Sequence, residues 1–165
     1  MKKISNLTEL LSDRLNKLYT SEQLQFSALK ELASRASNRS LQNNIDSYQQ
    51  IKIHNIERLD KSFKALGVSK RLEKCSIVED MVSDCRSLVS ESAKKNVADA
   101  ALITTIQQIN HFNIANYGSA ASFASTLDED YVGSLLHEAL EDEKNTDRKL
   151  TEIAEEVINP AAVTA

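Results

Sequence analysis

Glycine, proline and aromatic residues are scarce in this sequence. Its 165 residues include three glycines and one proline, and aromatic side chains make up only 5% of the chain. Turns depend on glycine and proline, and β-strands are enriched in aromatic residues. These shortages exclude a β-rich protein with many turns, and they predict an all-α chain folded as one domain over residues 1–165.

Concentrated basic charge and long apolar runs are also missing. The net charge is −4, so an affinity based on contacts with nucleic-acid phosphates is not expected. No apolar run is long enough to cross a bilayer, and the opening Met-Lys-Lys leads into an amphipathic stretch where a signal peptide would have an apolar core. We therefore predict no nucleic-acid partner, no membrane partner and a cytoplasmic location.

The cysteines and potential nucleophiles form no recognisable catalytic pattern. Cys75 and Cys85 have no metal-type spacing and accompany no secretion signal, so we interpret them as buried free thiols. A disulfide between them is the less favoured alternative. No nucleophile elbow and no Ser-His-Asp spacing is visible, which argues against a hydrolase.

Apolar residues at three- and four-residue spacing predict four long helices and one short helix. The predicted helices span about residues 6–35, 41–66, 77–88, 97–127 and 128–158. Asn6 or Thr8 caps the first helix, Gly67 ends the second, and Pro160 follows the end of the last. The long crossover between two helical pairs is typical of ferritin-like bundles. We therefore predict an all-α, ferritin-like four-helix bundle of two antiparallel helical hairpins, with a short extra helix in the crossover.

Polar residues interrupt the apolar stripes near mid-height of the predicted bundle. Glu22 in the first helix, Asn110 and Asn113 in the third, and Glu143 and Asp147 in the last keep the core-facing spacing. Residues equidistant from the turn of an antiparallel hairpin lie at the same height, so we expect these side chains in one layer. Buried carboxylates are costly unless they are paired or bind a metal.

Two interpretations of this layer are open. A di-metal site needs about six ligands of high anionic charge, but Asn110 and Asn113 are neutral. On the second helix the residues at this height are poor ligands: Tyr48, Gln50, Ile51, Ile53 and Asn55. His54 is expected to point away from the core, whereas His111 lies at the edge of its stripe and could turn inward. The favoured interpretation is a structural layer in which carboxylates pair with asparagine amides and tyrosine hydroxyls.

The sequence resembles the YciE/YciF family of ferritin-like bacterial proteins, which are associated with stress responses. The resemblance covers nearly the whole chain and is clearest in its C-terminal half. The matching segments are Asp99-Ala100-Ala101-Leu102-Ile103, His111, Ile114-Ala115, Tyr117-Gly118, Glu143-Lys144, Thr146-Asp147 and Lys149-Leu150-Thr151. It implies a ferritin-like bundle and a homodimer, with any other protein partner unknown.

The resemblance also implies an ancestral di-metal site. Its surviving ligands in this sequence would be Glu22, His111, Glu143 and Asp147. The third helix of the family normally reads Glu-His-x-Glu, whereas this sequence reads Asn-His-Phe-Asn at residues 110–113. The ligands that the family carries on its second helix are also lost from residues 50–55.

We therefore predict a ferritin-like stress-response protein whose di-metal site is degenerate. It would act as a metal-free or weakly metal-binding oligomeric bundle, with no cofactor other than weakly bound iron or another divalent metal. The alternative is a functional di-iron or di-manganese oxidase or iron-handling protein. A ferroxidase-like activity would require a retained metal site, and no catalytic residue is predicted. A DNA-protecting ferritin relative is disfavoured because the net charge has the wrong sign.

Overall fold

The computed structural model describes residues 3–163 and is almost entirely helical over that range. Its helices are α1 (Leu7–Arg35), α2 (Arg39–Leu66), α3 (Ser76–Glu91), α4 (Lys95–Thr126), α5 (Asp130–Ile153) and α6 (Asn159–Val163), with a π-helical turn at Ala154–Ile158. Over residues 3–163 there is no β-strand, and no helix is long and apolar enough to cross a membrane. The prediction of an all-α chain is confirmed.

The predicted helix ends agree well with the observed caps. The Asn6 side chain accepts a hydrogen bond from the Glu9 amide at the start of α1, as an N-cap residue should. Gly67 ends α2 with a φ of +63°, in the left-handed region that glycine adopts without steric cost. The turn before α5 contains Asp128 with a φ of +58°, a conformation that aspartate tolerates better than most residues.

Four long helices form two antiparallel hairpins. The α1–α2 turn and the α4–α5 turn are three residues each, and the hairpins pack with α2 along α5 and α1 along α4. The crossover passes through α3, which lies outside the four-helix bundle against α4 and α1. This arrangement is the predicted ferritin-like bundle with a short extra helix.

Polar side chains of α1 hold the irregular part of the crossover. The amide of Arg71 donates to Oδ1 of Asn16 at 2.6 Å, and the amide of Glu73 donates to Oγ1 of Thr20 at 2.9 Å. These bonds satisfy backbone groups that have no helical partner. Because the crossover is fixed in this way, α3 is held in place against the bundle.

The predicted end of the last helix is wrong. Helical structure was expected to stop before Pro160, but it continues through the π-helical turn into α6. Proline has no backbone N–H and a fixed φ, and both features suit the first turn of a helix. The π-helical turn ends at Ile158 and α6 begins at Asn159, so Pro160 lies in the first turn of α6 and does not end the helical run.

The core consists of two large apolar clusters at opposite ends of the bundle. One surrounds Leu15 and Leu136 near the α4–α5 turn, and the other surrounds Ile45 and Leu102 near the α1–α2 turn. Cys75 and Cys85 are buried and free, as predicted. Buried polar side chains occupy the space between the two clusters.

Candidate functional site

Polar side chains at mid-height separate the two apolar clusters. Glu22 of α1 and Glu143 of α5 are fully buried there, as are Asn110 and Asn113 of α4. The structure therefore confirms that these four residues face the core, as their spacing along the helices predicted. We call this set of residues, together with its buried partners on α2, the polar layer.

The partner that α2 contributes is Lys52, which has no exposed surface. Its Nζ lies 2.6 Å from Oε1 of Glu143 and 3.2 Å from Oε2 of Glu22. The same atom lies 4.0 Å from the centre of the Tyr48 ring, within cation–π range. The ammonium group therefore lies between the two carboxylates and compensates their charge in an interior where an isolated charge is costly.

Both carboxylate oxygens of Glu143 are saturated with donors. Besides Lys52, Oε1 accepts a hydrogen bond from Nδ2 of Asn55 at 3.0 Å. Oε2 accepts bonds from the hydroxyl of Tyr48 and from Nδ2 of Asn110, the latter at 2.9 Å. Charge-assisted bonds of this kind are stronger than neutral ones, so Glu143 is held rigidly at the centre of the layer.

Glu22 has fewer donors than Glu143. Its Oε1 accepts hydrogen bonds from the Tyr117 hydroxyl at 2.7 Å and from Nδ2 of Asn55 at 3.3 Å. Its Oε2 is within ion-pair distance of Lys52 but receives no directed hydrogen bond. The hydroxyls of Tyr48 and Tyr117 therefore pair with the carboxylates of the polar layer, as the structural interpretation of the layer predicts.

Asn113 connects the polar layer to a buried side chain of α1. Its side-chain amide exchanges two hydrogen bonds with the amide of Gln25, at 2.8 and 2.9 Å. Both residues are buried, and this reciprocal pair satisfies the polar atoms that face each other. Asn113 thus joins α4 to α1 through neutral groups.

Burial and neighbouring charges set the protonation states in the layer. Burial raises the pKa of Glu22 to about 7, with Lys52 opposing the increase and Glu143 adding to it. Burial acts to lower the pKa of Lys52, but Glu143 and Glu22 outweigh it and raise that pKa above its ordinary value. Lys52 is therefore charged at neutral pH, and the pKa of Glu22 lies close to neutrality.

We predict that Glu22→Gln removes a pH dependence from the stability of the chain. The pKa of Glu22 is 4.5 ordinarily and about 7 when folded, so its stabilising contribution is present below pH 4.5 and is lost as the pH rises through about 7. Over this pH interval the free energy of unfolding of the wild-type chain should fall by up to about 3 kcal/mol relative to that of the variant. Urea unfolding of both proteins across the interval measures the difference.

Glu57→Gln is the matched control, because Glu57 is an exposed carboxylate on α2. The free energy of unfolding of the Glu57→Gln variant should follow that of the wild-type chain at every pH. If the Glu22→Gln curve also ran parallel to the wild-type curve, Glu22 would have an ordinary pKa and the electrostatic description of the layer would be wrong.

The other two predicted metal ligands lie outside the layer. The side chain of His111 is 63% exposed, and its Nε2 lies 3.1 Å from Oδ1 of Asp147. Asp147, which was expected to face the core, lies at the edge of the α4–α5 contact and also accepts a bond from Gln107. The structure therefore brings Glu22 and Glu143 together in the core and His111 and Asp147 together at the surface.

The residues of the polar layer do not fit two metal ions. Among residues 3–163, Glu22 and Glu143 are the only carboxylates of the predicted layer that are buried in the core, and Lys52 lies between them. Within residues 3–163 no group of three or more His, Cys, Asp or Glu side chains is arranged to hold a metal ion. A divalent cation would have to displace an ammonium group from both of its partners.

Sequence reasoning missed Lys52, the residue that decides the chemistry of the layer. Lysine is almost never fully buried, so a lysine near a core stripe is ordinarily assigned to the surface. The usable signal was its position four residues after Tyr48, with Asn55 three residues further on. That spacing places all three on the core side of α2.

Comparisons with known proteins agree with the fold. A family model described as "Domain of unknown function (DUF892)" matches residues 6–163. The protein YciF of Escherichia coli strain K12 is 34% identical over 154 residues, covering 93% of this chain and 90% of YciF.

Solved structures give the same result. The crystal structure of the E. coli stress protein YciF superposes with a TM-score of 0.89 at 32% identity, covering 94% of this chain and 99% of that one. YcfI from Rhodopseudomonas palustris gives a TM-score of 0.87 at 31% identity, covering 91% and 96%. A dodecameric thioferritin from Bacteroides fragilis, at 16% identity, has a TM-score of 0.74 with 94% and 90% covered, which shows a shared ferritin-like fold.

Proposed function

Because the chain belongs to the DUF892 family, we propose that it is a ferritin-like stress-response protein in which a buried lysine replaces the cations of a di-metal site. The resemblance to the YciE/YciF family that the sequence predicted is confirmed by the identity with YciF. YciF is described as a stress protein, and we extend that role to this chain. In this proposal the chain acts in the cytoplasm as a homodimer and without metal chemistry.

The contact between Lys52 and the two glutamates is the observation that supports this proposal. An ammonium group at 2.6 and 3.2 Å from the carboxylates supplies the positive charge that bound metal ions would otherwise supply. It is attached to the chain, so the charge balance of the core does not depend on an ion from solution. Redox chemistry on oxygen or iron needs a cofactor, and lysine, asparagine and tyrosine do not replace that function.

The polar layer would then work as a structural element. It joins all four long helices through charge-assisted hydrogen bonds, and its donors and acceptors meet only in one register of the helices. Buried polar groups can specify helix pairing in this way, at some cost in stability. The biological activity would lie on the outer surface of the bundle, where a second copy or another protein binds.

Metal binding tests the proposal directly. After incubation with ferrous iron, manganese or zinc without oxygen, followed by dialysis, mass spectrometry should find far less than one ion per chain. On exposure to air, the protein should oxidise ferrous iron no faster than buffer does. A ferritin treated in parallel verifies the assay. Two ions per chain would overturn the proposal, because Lys52 would then have left the carboxylates.

A surface site must be distinguished from the core. His111→Ala is a suitable control variant, because it removes the exposed imidazole beside Asp147 and leaves the polar layer unchanged. Any weak binding of zinc that this variant abolishes belongs to the surface pair. Binding that survives in His111→Ala at full stoichiometry would point to the core and count against the proposal.

A further inference from the structure

Asn55 connects the polar layer to a charged group near the surface of the bundle. Its side chain has no exposed surface, and its Nδ2 donates to Oε1 of Glu143 at 3.0 Å and to Oε1 of Glu22 at 3.3 Å. Its Oδ1 accepts a hydrogen bond from Nη1 of Arg58 at 2.9 Å. The amide therefore donates inward to both carboxylates and accepts from an arginine on its outer side.

The neighbours of the Asn55 amide accept only one orientation of it. A carboxylate accepts hydrogen bonds, and a guanidinium group only donates them. If the amide were turned around, its Oδ1 would face the two carboxylates and its Nδ2 would face Arg58, so the hydrogen bonds on both sides would be lost. Arg58 therefore stabilises the orientation in which Glu22 and Glu143 each receive an N–H.

Two acidic residues of α5 hold Arg58 in turn. Its Nη1 lies 2.6 Å from Oδ2 of Asp142, and its Nε lies 3.3 Å from Oε2 of Glu138. The Arg58 side chain is 19% exposed, whereas those of Asp142 and Glu138 are 35% and 60% exposed. The guanidinium group thus lies between the buried amide and solvent, and its planar fork contacts α2 and α5 at the same time.

Arg58 is the point at which hydrogen bonds lead from the polar layer to the surface. Within residues 3–163, the other side chains bonded to the two glutamates make side-chain hydrogen bonds to buried groups only: Lys52, Tyr48, Tyr117, Asn110 and Asn113. The path through Asn113, for example, ends at the buried side chains of Gln25 and Ser21. Asn55 and Arg58 therefore form the polar connection between this layer and solvent.

We propose that Arg58 is a positioning residue that keeps the polar layer closed, by holding the Asn55 amide against Glu22 and Glu143 and covering it from solvent. This deepens the proposed function, because it names the residue that controls the access of water and ions to the layer around Lys52. When the guanidinium group leaves Asn55, the amide is free to move and the two carboxylates lose a shared donor. The layer then opens locally while the rest of the bundle stays folded.

Hydrogen exchange of side-chain amides, measured by NMR on the metal-free full chain, tests this proposal. In Arg58→Met, exchange of the Asn55 Nδ2 hydrogens should rise about tenfold or more, the effect of losing one hydrogen bond to a charged group. Exchange of the Asn113 amide should not change, because Arg58 does not contact it. Arg58→Lys should accelerate Asn55 nearly as much, since a single ammonium nitrogen cannot replace the contacts with Asn55, Asp142 and Glu138 together.

Two further variants separate this contact from a general effect of charge. Arg148→Met removes an exposed arginine of α5 and is the matched control, so it should leave the exchange of Asn55 at the wild-type rate. Asp142→Asn keeps the Arg58 side chain but removes its nearest ionic partner. Exchange of Asn55 in this variant should lie between the rates in the wild-type chain and in Arg58→Met.

Either of two results would overturn the proposal. If Arg58→Met left the exchange of Asn55 unchanged, the guanidinium group would not hold the amide. If Asn55 and Asn113 accelerated in parallel, the variant would only have lowered the stability of the whole bundle. A failure of the proposed function would be seen separately, as two ions per chain after incubation with metal, and it would leave the exchange rates of the metal-free chain as they are.

Discussion

Lys52→Met is expected to lower the free energy of unfolding by about 3–5 kcal/mol at neutral pH, because removing one partner leaves buried charge uncompensated. Methionine has nearly the length of lysine, so the change removes the ammonium group without opening a large cavity. Glu22 and Glu143 would then face each other in the core with only neutral donors between them. The effect should be among the largest that a single substitution produces in this chain.

The pH dependence of this loss identifies its electrostatic origin. Lys52 opposes the increase in the pKa of Glu22, so without Lys52 the Glu22 carboxylate should take up a proton above pH 7, and the difference from the wild-type chain should shrink as the pH falls toward about 7. Adding Glu22→Gln and Glu143→Gln to Lys52→Met should recover most of the lost stability, because neutral amides replace the unpaired charges. Chemical unfolding at several pH values measures both effects.

Lys61→Met provides the control, since Lys61 is an exposed lysine on the same helix. It should change the free energy of unfolding by less than about 0.5 kcal/mol, as exposed substitutions usually do. If Lys52→Met were equally mild, the ammonium group would contribute little, and the layer would be held by its neutral hydrogen bonds alone.

The helices and the position of the polar layer could be predicted because both depend on spacing. Apolar residues at three- and four-residue intervals define which side of each helix is buried, and Glu22, Asn110 and Glu143 fit that spacing. Antiparallel hairpins with short turns then place them at one height. The fold and the existence of the layer follow from these local rules.

The side-chain partners in the layer could not be predicted in the same way. Lys52 was missed because lysine is usually exposed, and only the surrounding carboxylates make its burial possible. Asp147 was misplaced because a residue four positions after Glu143 is rotated by about 40° around the helix axis. That rotation moves Asp147 to the edge of the α4–α5 contact, where it meets His111. Such outcomes depend on packing between helices and not on the pattern within one.

Restoring a metal site should require the removal of Lys52 as well as the replacement of the asparagines. Asn110→Glu with Asn113→Glu would partly restore metal affinity if α2 supplied a ligand, but α2 supplies a cation. We therefore expect the double variant to bind no ion in the core. The triple variant that adds Lys52→Glu should bind one or two divalent ions per chain, because five carboxylates then converge on the layer.

Thermal unfolding with and without metal distinguishes these variants. The metal-free triple variant should be strongly destabilised by its buried carboxylates, and a concentration of ferrous or manganous ion about a thousandfold above the dissociation constant should restore about 4 kcal/mol. The wild-type chain and the double variant should show no such shift. Lys52→Glu alone serves as the control for the loss of the ammonium group. If metal failed to stabilise the triple variant, Lys52 would not be the residue that keeps ions out, and the layer would differ from a di-metal site in its geometry as well as in its charge.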